Sequence, residues 1–116
     1  MDARLRQVTR LMSEDLSRPL DLKALARSVN LSPSRLRSLF REETGQTPAQ
    51  YLKRLRMRRA EQLITQTFLN LKEVMLRVGI SDGSHFVRDF RKTYGLPPMR
   101  YRAARGGSEG RSHSGQ

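Results

Sequence analysis

Two short stretches place cations and small hydroxyl side chains on one face of a helix. With Leu36, Leu39 and Phe40 on the inner side, the 3.6-residue period turns Ser34, Arg35, Arg37, Ser38 and Arg41 outward. With Phe86 and Phe90 inward, the outward set is Gly83, Ser84, His85, Arg88 and, further along, Lys92. A guanidinium can fork onto guanine O6 and N7, whereas Ser and His make less exclusive contacts to base edges. The predicted base-reading set is therefore Ser34, Arg35, Arg37, Ser38, Ser84, His85 and Arg88, with Arg37 and Arg88 carrying most of the discrimination.

The whole composition leans toward a polyanionic partner. Among 116 residues there are 23 Lys+Arg and 11 Asp+Glu, a formal net charge of +12, and 19 of the cations are arginine. There is no Cys, and only His85 and His113 represent histidine, so a disulfide framework, a Cys-ligated zinc site and a thiol nucleophile are excluded. No metal or other cofactor is expected. No apolar run approaches the roughly 18 residues of a membrane span, and the first residues lack the apolar core of a signal peptide, so a soluble, cytoplasmic protein is expected.

The elements that must hold these faces are legible from their punctuation. Apolar residues recur at three and four spacing and no segment alternates long enough for a strand, which predicts an all-helical domain. Leu5, Val8, Met12 and Leu16 mark a first helix near 2–16; Asp21 caps a second over 22–29. Ser32 and Pro33 open a third that Gly45 stops, and Thr47, Pro48 and Gln50 open a long one to about Gln66. Asn70 and Glu73 form a capping box, Gly79 ends that helix, the next runs from about Asp82 to Gly95, and Pro97 and Pro98 open a last one. Seven helices are predicted. Residues 106–116 hold four Gly, three Ser and no aliphatic or aromatic side chain, the composition of a disordered tail.

An internal repeat organises the rest. Leu22, Leu25, Ala26 and Val29 lead through Asn30 and Leu31 into Leu36, Leu39 and Phe40; Leu71, Val74, Met75 and Val78 lead through Gly79 and Ile80 into Phe86 and Phe90. Each copy has the form of a helix-turn-helix, which needs a small residue in its first helix, a residue tolerant of positive φ four positions on, and an apolar lock in its second. Ala26, Asn30 and Leu36 satisfy all three; in the second copy Met75 stands where the small residue is expected, and a longer side chain has to be accommodated at the closest crossing. Homeodomain-like three-helical units over 1–45 and 70–105 are thus expected on either side of a linker helix over 47–66, within one domain over 1–105. The 20 residues from Thr47 to Gln66 amount to roughly 30 Å of helix, near the roughly 34 Å of one DNA turn, so a single chain is expected to read two successive major grooves as a monomer. Phosphate contacts are assigned to the helix starts at Thr47, Asn70 and Pro98 and to Arg41, Gln50, Lys53, Arg54, Lys92 and Arg100.

The runs LSPSRLRSLFREETGQTPAQYLKRLRMRRAEQLI and VGISDGSHFVRDFRKTYGLPPMRYR resemble the DNA-binding domain of the AraC/XylS family of bacterial transcription regulators. Gly79, Asp82, Ser84, Phe86, Phe90, Gly95, Pro98, Tyr101 and Arg102 match the family signature in order, whereas Met75, Ile80, Gly83, Arg91 and Pro97 depart from it. The resemblance covers about residues 5–102. It implies two helix-turn-helix subdomains joined by a long helix, a sequence-specific regulator of transcription, usually an activator touching RNA polymerase, at work on double-stranded DNA in the bacterial nucleoid. Members usually carry a separate effector-binding or dimerisation domain, so the resemblance leaves two alternatives: an excised domain, with a dimer formed through the part outside this chain, or one of the minority that act alone.

Other function classes fit less. Glu42 and Glu43 are neighbours on a helix and point to different faces, so no acid–base pair converges and an enzyme is not expected. The five cations in the seven residues Lys53 to Arg59 would suit a membrane surface or a helix-binding protein, but neither reading explains the repeat. A plain solvated face is the bland reading of the arginines. The nearest rival is a sequence-indifferent architectural DNA protein, which shares the charge but has no preferred site.

Overall fold

The computed structural model describes residues 1–112, and side chains as far as Arg105. Among these residues all regular structure is helical: α1 (Ala3–Glu14), α2 (Leu22–Ser28), α3 (Pro33–Thr44), α4 (Pro48–Gln66), α5 (Leu71–Val78), α6 (Gly83–Tyr94) and α7 (Pro98–Ser112). The expected caps are formed: Asp21, Ser32, Asn70 and Asp82 each accept a backbone N–H of the helix they open, Asp2 does the same for α1 without having been foreseen, and Gly45, Gly79 and Gly95 close helices at positive φ. Helix α7 continues to Ser112, so it includes residues 106–112 whose composition suggests a tail; residues 113–116 lie outside the described residues.

The chain divides into two compact units, Met1–Leu55 and Arg56–Gln116, and the division falls inside α4 rather than at its ends. In the first unit Leu5, Val8 and Met12 of α1 are buried with Ala26 of α2, Leu36, Leu39 and Phe40 of α3, and Leu52 from the start of α4. In the second unit Met57, Ala60, Leu63 and Ile64 of α4 are buried with Val74 and Val78 of α5, Phe86 and Phe90 of α6, and Tyr101 of α7. The later half of α4 therefore serves the second core as α1 serves the first. The buried spacing is the same, Leu5, Val8, Met12 against Met57, Ala60, Ile64.

From the caps of α3 and α6 onward, corresponding residues of the copies are 50 positions apart. Pro48 and Pro98 are both buried, and the edge-to-face contact of Phe40 with Tyr51 at 5.5 Å is matched by that of Phe90 with Tyr101 at 5.2 Å. The copies differ where Leu52 is replaced by Arg102. Arg102 turns back on the last turn of α4, its Nε donating to the Ile64 carbonyl at 2.7 Å, which satisfies one of the helix's terminal carbonyls. The Tyr101 hydroxyl donates to Glu61 Oε2 at 2.9 Å, and burial together with that carboxylate pushes its pKa upward.

Candidate nucleic-acid interface

The two turns that aim α3 and α6 share one hydrogen-bond pattern. In the first, Leu31 N–H donates to the Ala26 carbonyl at 2.9 Å and Asn30 N–H to that of Arg27 at 3.1 Å, with Asn30 at φ 58. In the second, Ile80 N–H donates to the Met75 carbonyl at 2.9 Å and Gly79 N–H to that of Leu76 at 3.4 Å, with Gly79 at φ 77. Both are Schellman closures, which need a left-handed residue that Asn or Gly supplies with least strain. The longer Met75 side chain extends toward the start of α6, where a Cβ at Gly83 would lie 3.7 Å from the Met75 Cε, an ordinary packing distance.

On α3, Ser34, Arg35, Arg37, Ser38 and Arg41 are all exposed, as the periodicity requires. The Arg35 backbone N–H caps on Ser32 Oγ at 3.1 Å, while its guanidinium runs along the helix to Glu42, Nη1 lying 3.3 Å from Oε2. On α6, Ser84, His85, Arg88 and Lys92 are exposed, and so is Arg91, which sequence reasoning left out although it occupies the register of Arg41. The imidazole of His85 folds back onto the cap, with Nδ1 2.7 Å from Asp82 Oδ2. The backbone N–H of His85 is the main cause holding the Asp82 carboxyl below the usual carboxylate range. The 50-residue register also separates the two principal arginines: Arg37 corresponds to half-buried Val87, and Arg88 to Ser38.

The residues assigned to phosphate differ in availability. Arg41, Lys53, Arg54, Lys92 and Arg100 are exposed. Thr47 and Gln50 engage each other in a capping box, Thr47 N–H donating to Gln50 Oε1 at 3.0 Å and Gln50 N–H to Thr47 Oγ1 at 3.1 Å. At α5 the matching box brings in a carboxylate. Asn70 N–H donates to Glu73 Oε1 at 2.8 Å, so this helix start already faces an anion of its own. The first turns of α3, α4, α6 and α7 hold no acidic residue. Half-buried Arg56 loses some of its preference for the charged form through desolvation.

Residues 25–104 match the family model described as a helix-turn-helix domain. The arabinose operon regulatory protein of Salmonella typhimurium is 34% identical over 104 residues, which make up 89% of this chain and 37% of that protein. The chain belongs to the AraC family. The regulator GbdR of Pseudomonas aeruginosa is 36% identical over 95 residues, 82% of this chain and 26% of that protein. The chain thus spans only about a quarter to two-fifths of the length of these relatives. Among solved structures, an AraC-type regulator from Chromobacterium violaceum superposes with a TM-score of 0.79 at 32% identity, over 86% of this chain and 89% of that one. The DNA-binding domain of AdpA, a structure described as a complex with a target DNA, gives 0.80 at 28% identity, over 98% of this chain and all of that one.

Proposed function

We propose that the chain is a sequence-specific, double-stranded-DNA-binding module of a transcription regulator, with α3 and α6 as reading helices. The observation that carries this is the duplicated turn geometry: two helices, each aimed by the same Schellman closure, each presenting exposed arginine and serine on the side opposite a closed core. The likeness to the AdpA domain over nearly the full chain supports DNA as the partner. Arg37 and Arg88 read bases, with Ser34, Ser38 and Ser84 beside them. His85 takes part after leaving Asp82. Arg41, Lys53, Arg54, Lys92 and Arg100 hold phosphates, joined by Arg91, and the helix starts at Thr47 and Pro98 add backbone N–H groups. Asn70 is the weakest of the assigned phosphate contacts because Glu73 fills its helix start.

The target is an asymmetric pair of boxes about one helical turn apart, bound by a monomer of this chain, and the output in a longer regulator is activation through RNA polymerase. Selection from a randomised duplex pool at roughly physiological salt tests the reading. Enrichment of two boxes separated by roughly 10 base pairs is the expected result. Retention without enrichment, with affinity falling steeply in salt, would instead mean sequence-indifferent backbone binding.

A further inference from the structure

We infer that Glu42 is a specificity-determining residue that acts through Arg35, withholding that guanidinium from DNA backbone at unmatched sequences; the inference rests on the DNA-binding reading above. Arg35 and Glu42 are seven residues apart on α3, two turns, and their charged ends meet at 3.3 Å with 46% and 60% of their side chains exposed. By helical angle the pair lies on one flank of the outward face, beside the line of Ser34, Ser38 and Arg41, whereas Arg37 lies on the other flank. Stretched along the helix toward its C-terminal end, Arg35 is a tethered cation rather than one pointing straight out.

The consequence follows from what holds a matched and an unmatched complex together. An unmatched duplex is bound almost wholly through phosphates, so every free cation within reach adds affinity without information. Tethering Arg35 removes one such contact. In a matched complex α3 is seated by its base contacts, and a flank cation has less freedom to find a phosphate, so the tether costs the matched site less. Discrimination gains from a contact that is withheld as well as from contacts that are made. The second copy lacks this device. At the register of Glu42 stands exposed Lys92, and at that of Arg35 stands His85, paired with Asp82.

Neighbouring Glu43 supplies the control. Its carboxylate accepts from the backbone N–H of Asp2 at 2.9 Å, so Glu43→Gln changes net charge by the same amount as Glu42→Gln without releasing Arg35. The experiment measures affinity of the full chain by fluorescence anisotropy across a salt series, on a duplex carrying the selected boxes and on a random duplex of equal length. For Glu42→Gln, random-duplex affinity is expected to rise up to about fivefold, the span of an exposed ion pair, with a smaller gain on the selected duplex. The random-duplex salt slope is expected to steepen by about 0.9, one added phosphate. Glu43→Gln should leave the ratio of the two affinities unchanged, and Glu42→Gln should have no effect on it in an Arg35→Ala background. Equal effects of the two glutamate substitutions, or an effect that persists without Arg35, would overturn the inference. If wild type prefers no duplex, the proposed function itself fails, and the random-duplex slope of Glu42→Gln still decides whether Glu42 withholds Arg35.

Discussion

At the scale of single residues, the interface is a set of long cations whose usefulness depends on what already holds them. Arg37, Arg41, Arg88 and Arg91 stand exposed on the outward faces, whereas Arg35 reaches Glu42 and Arg102 is spent on the Ile64 carbonyl. Replacing Arg37 or Arg88 by Ala is expected to cost about 1–3 kcal/mol of discrimination at one base position in one box, with a smaller loss on random DNA. Lys53→Ala is expected to weaken all duplexes alike and flatten the salt slope by about 0.9. Anisotropy titrations on the selected site and its single-base variants separate the two; equal losses on selected and random duplexes for the arginine variants would remove them from the base-reading set. Periodicity identified most of the exposed residues, because a helix fixes where each Cβ points, but it placed half-buried Gly83 outward and passed over exposed Arg91. It did not show that Arg35 and His85 bend toward carboxylates, since the torsions beyond Cβ answer to neighbours in space.

At the scale of elements, turns and caps carry the geometry. Asn30 holds φ 58 and Gly79 φ 77 within identical closures. Gly79→Ala is expected to destabilise the second unit by about 1–2 kcal/mol, whereas Asn30→Gly should change stability by only a few tenths, because glycine enters the left-handed region freely. Urea denaturation of the two variants gives the comparison. Helix starts make a second prediction. The carboxyls of Asp2 and Asp82, which open α1 and α6, are held below their ordinary value by hydrogen bonds to the charged form, Asp2 down to about 2, and that of Asp15, just past the end of α1, is lowered by Ser17. A depressed folded-state pKa gives stability that is complete above the unfolded value, roughly 4, and is lost as pH falls through the folded one. Helical circular dichroism should therefore hold above pH of roughly 4 and decline toward 2, and Asp82→Asn should make that decline smaller. The caps themselves were legible because they are local chemistry: an Asn or Asp, a Pro, a Glu three residues on.

At the scale of the whole molecule, two buried clusters that share no residue divide α4 between them. Phe90 is fully buried among Val74, Val78, Phe86 and Tyr101, so Phe90→Ala is expected to cost about 3–5 kcal/mol of the second unit's stability. Hydrogen exchange should then lose protection in α5, α6 and α7 while α1, α2 and α3 keep theirs; uniform loss along the chain would mean that the two cores fold as one cooperative unit.

The sequence by itself determined the helices, most of their ends other than the C-terminal ends of α1 and α7, the repeat and most of the outward faces, because each depends on residues within one or two turns of each other. Only the tertiary structure decided that α4 belongs half to each core. Leu52 is covered by the first core and Met57, Ala60 and Ile64 by the second, and periodicity cannot name the partner that covers each apolar residue of one helix. The same holds for Met75 and Gly83, eight residues apart, and for Arg102 and Ile64, 38 apart. The packing of a side chain against a neighbouring helix start and the capture of a terminal carbonyl take place across space, between residues that the chain brings together only once the helices have packed.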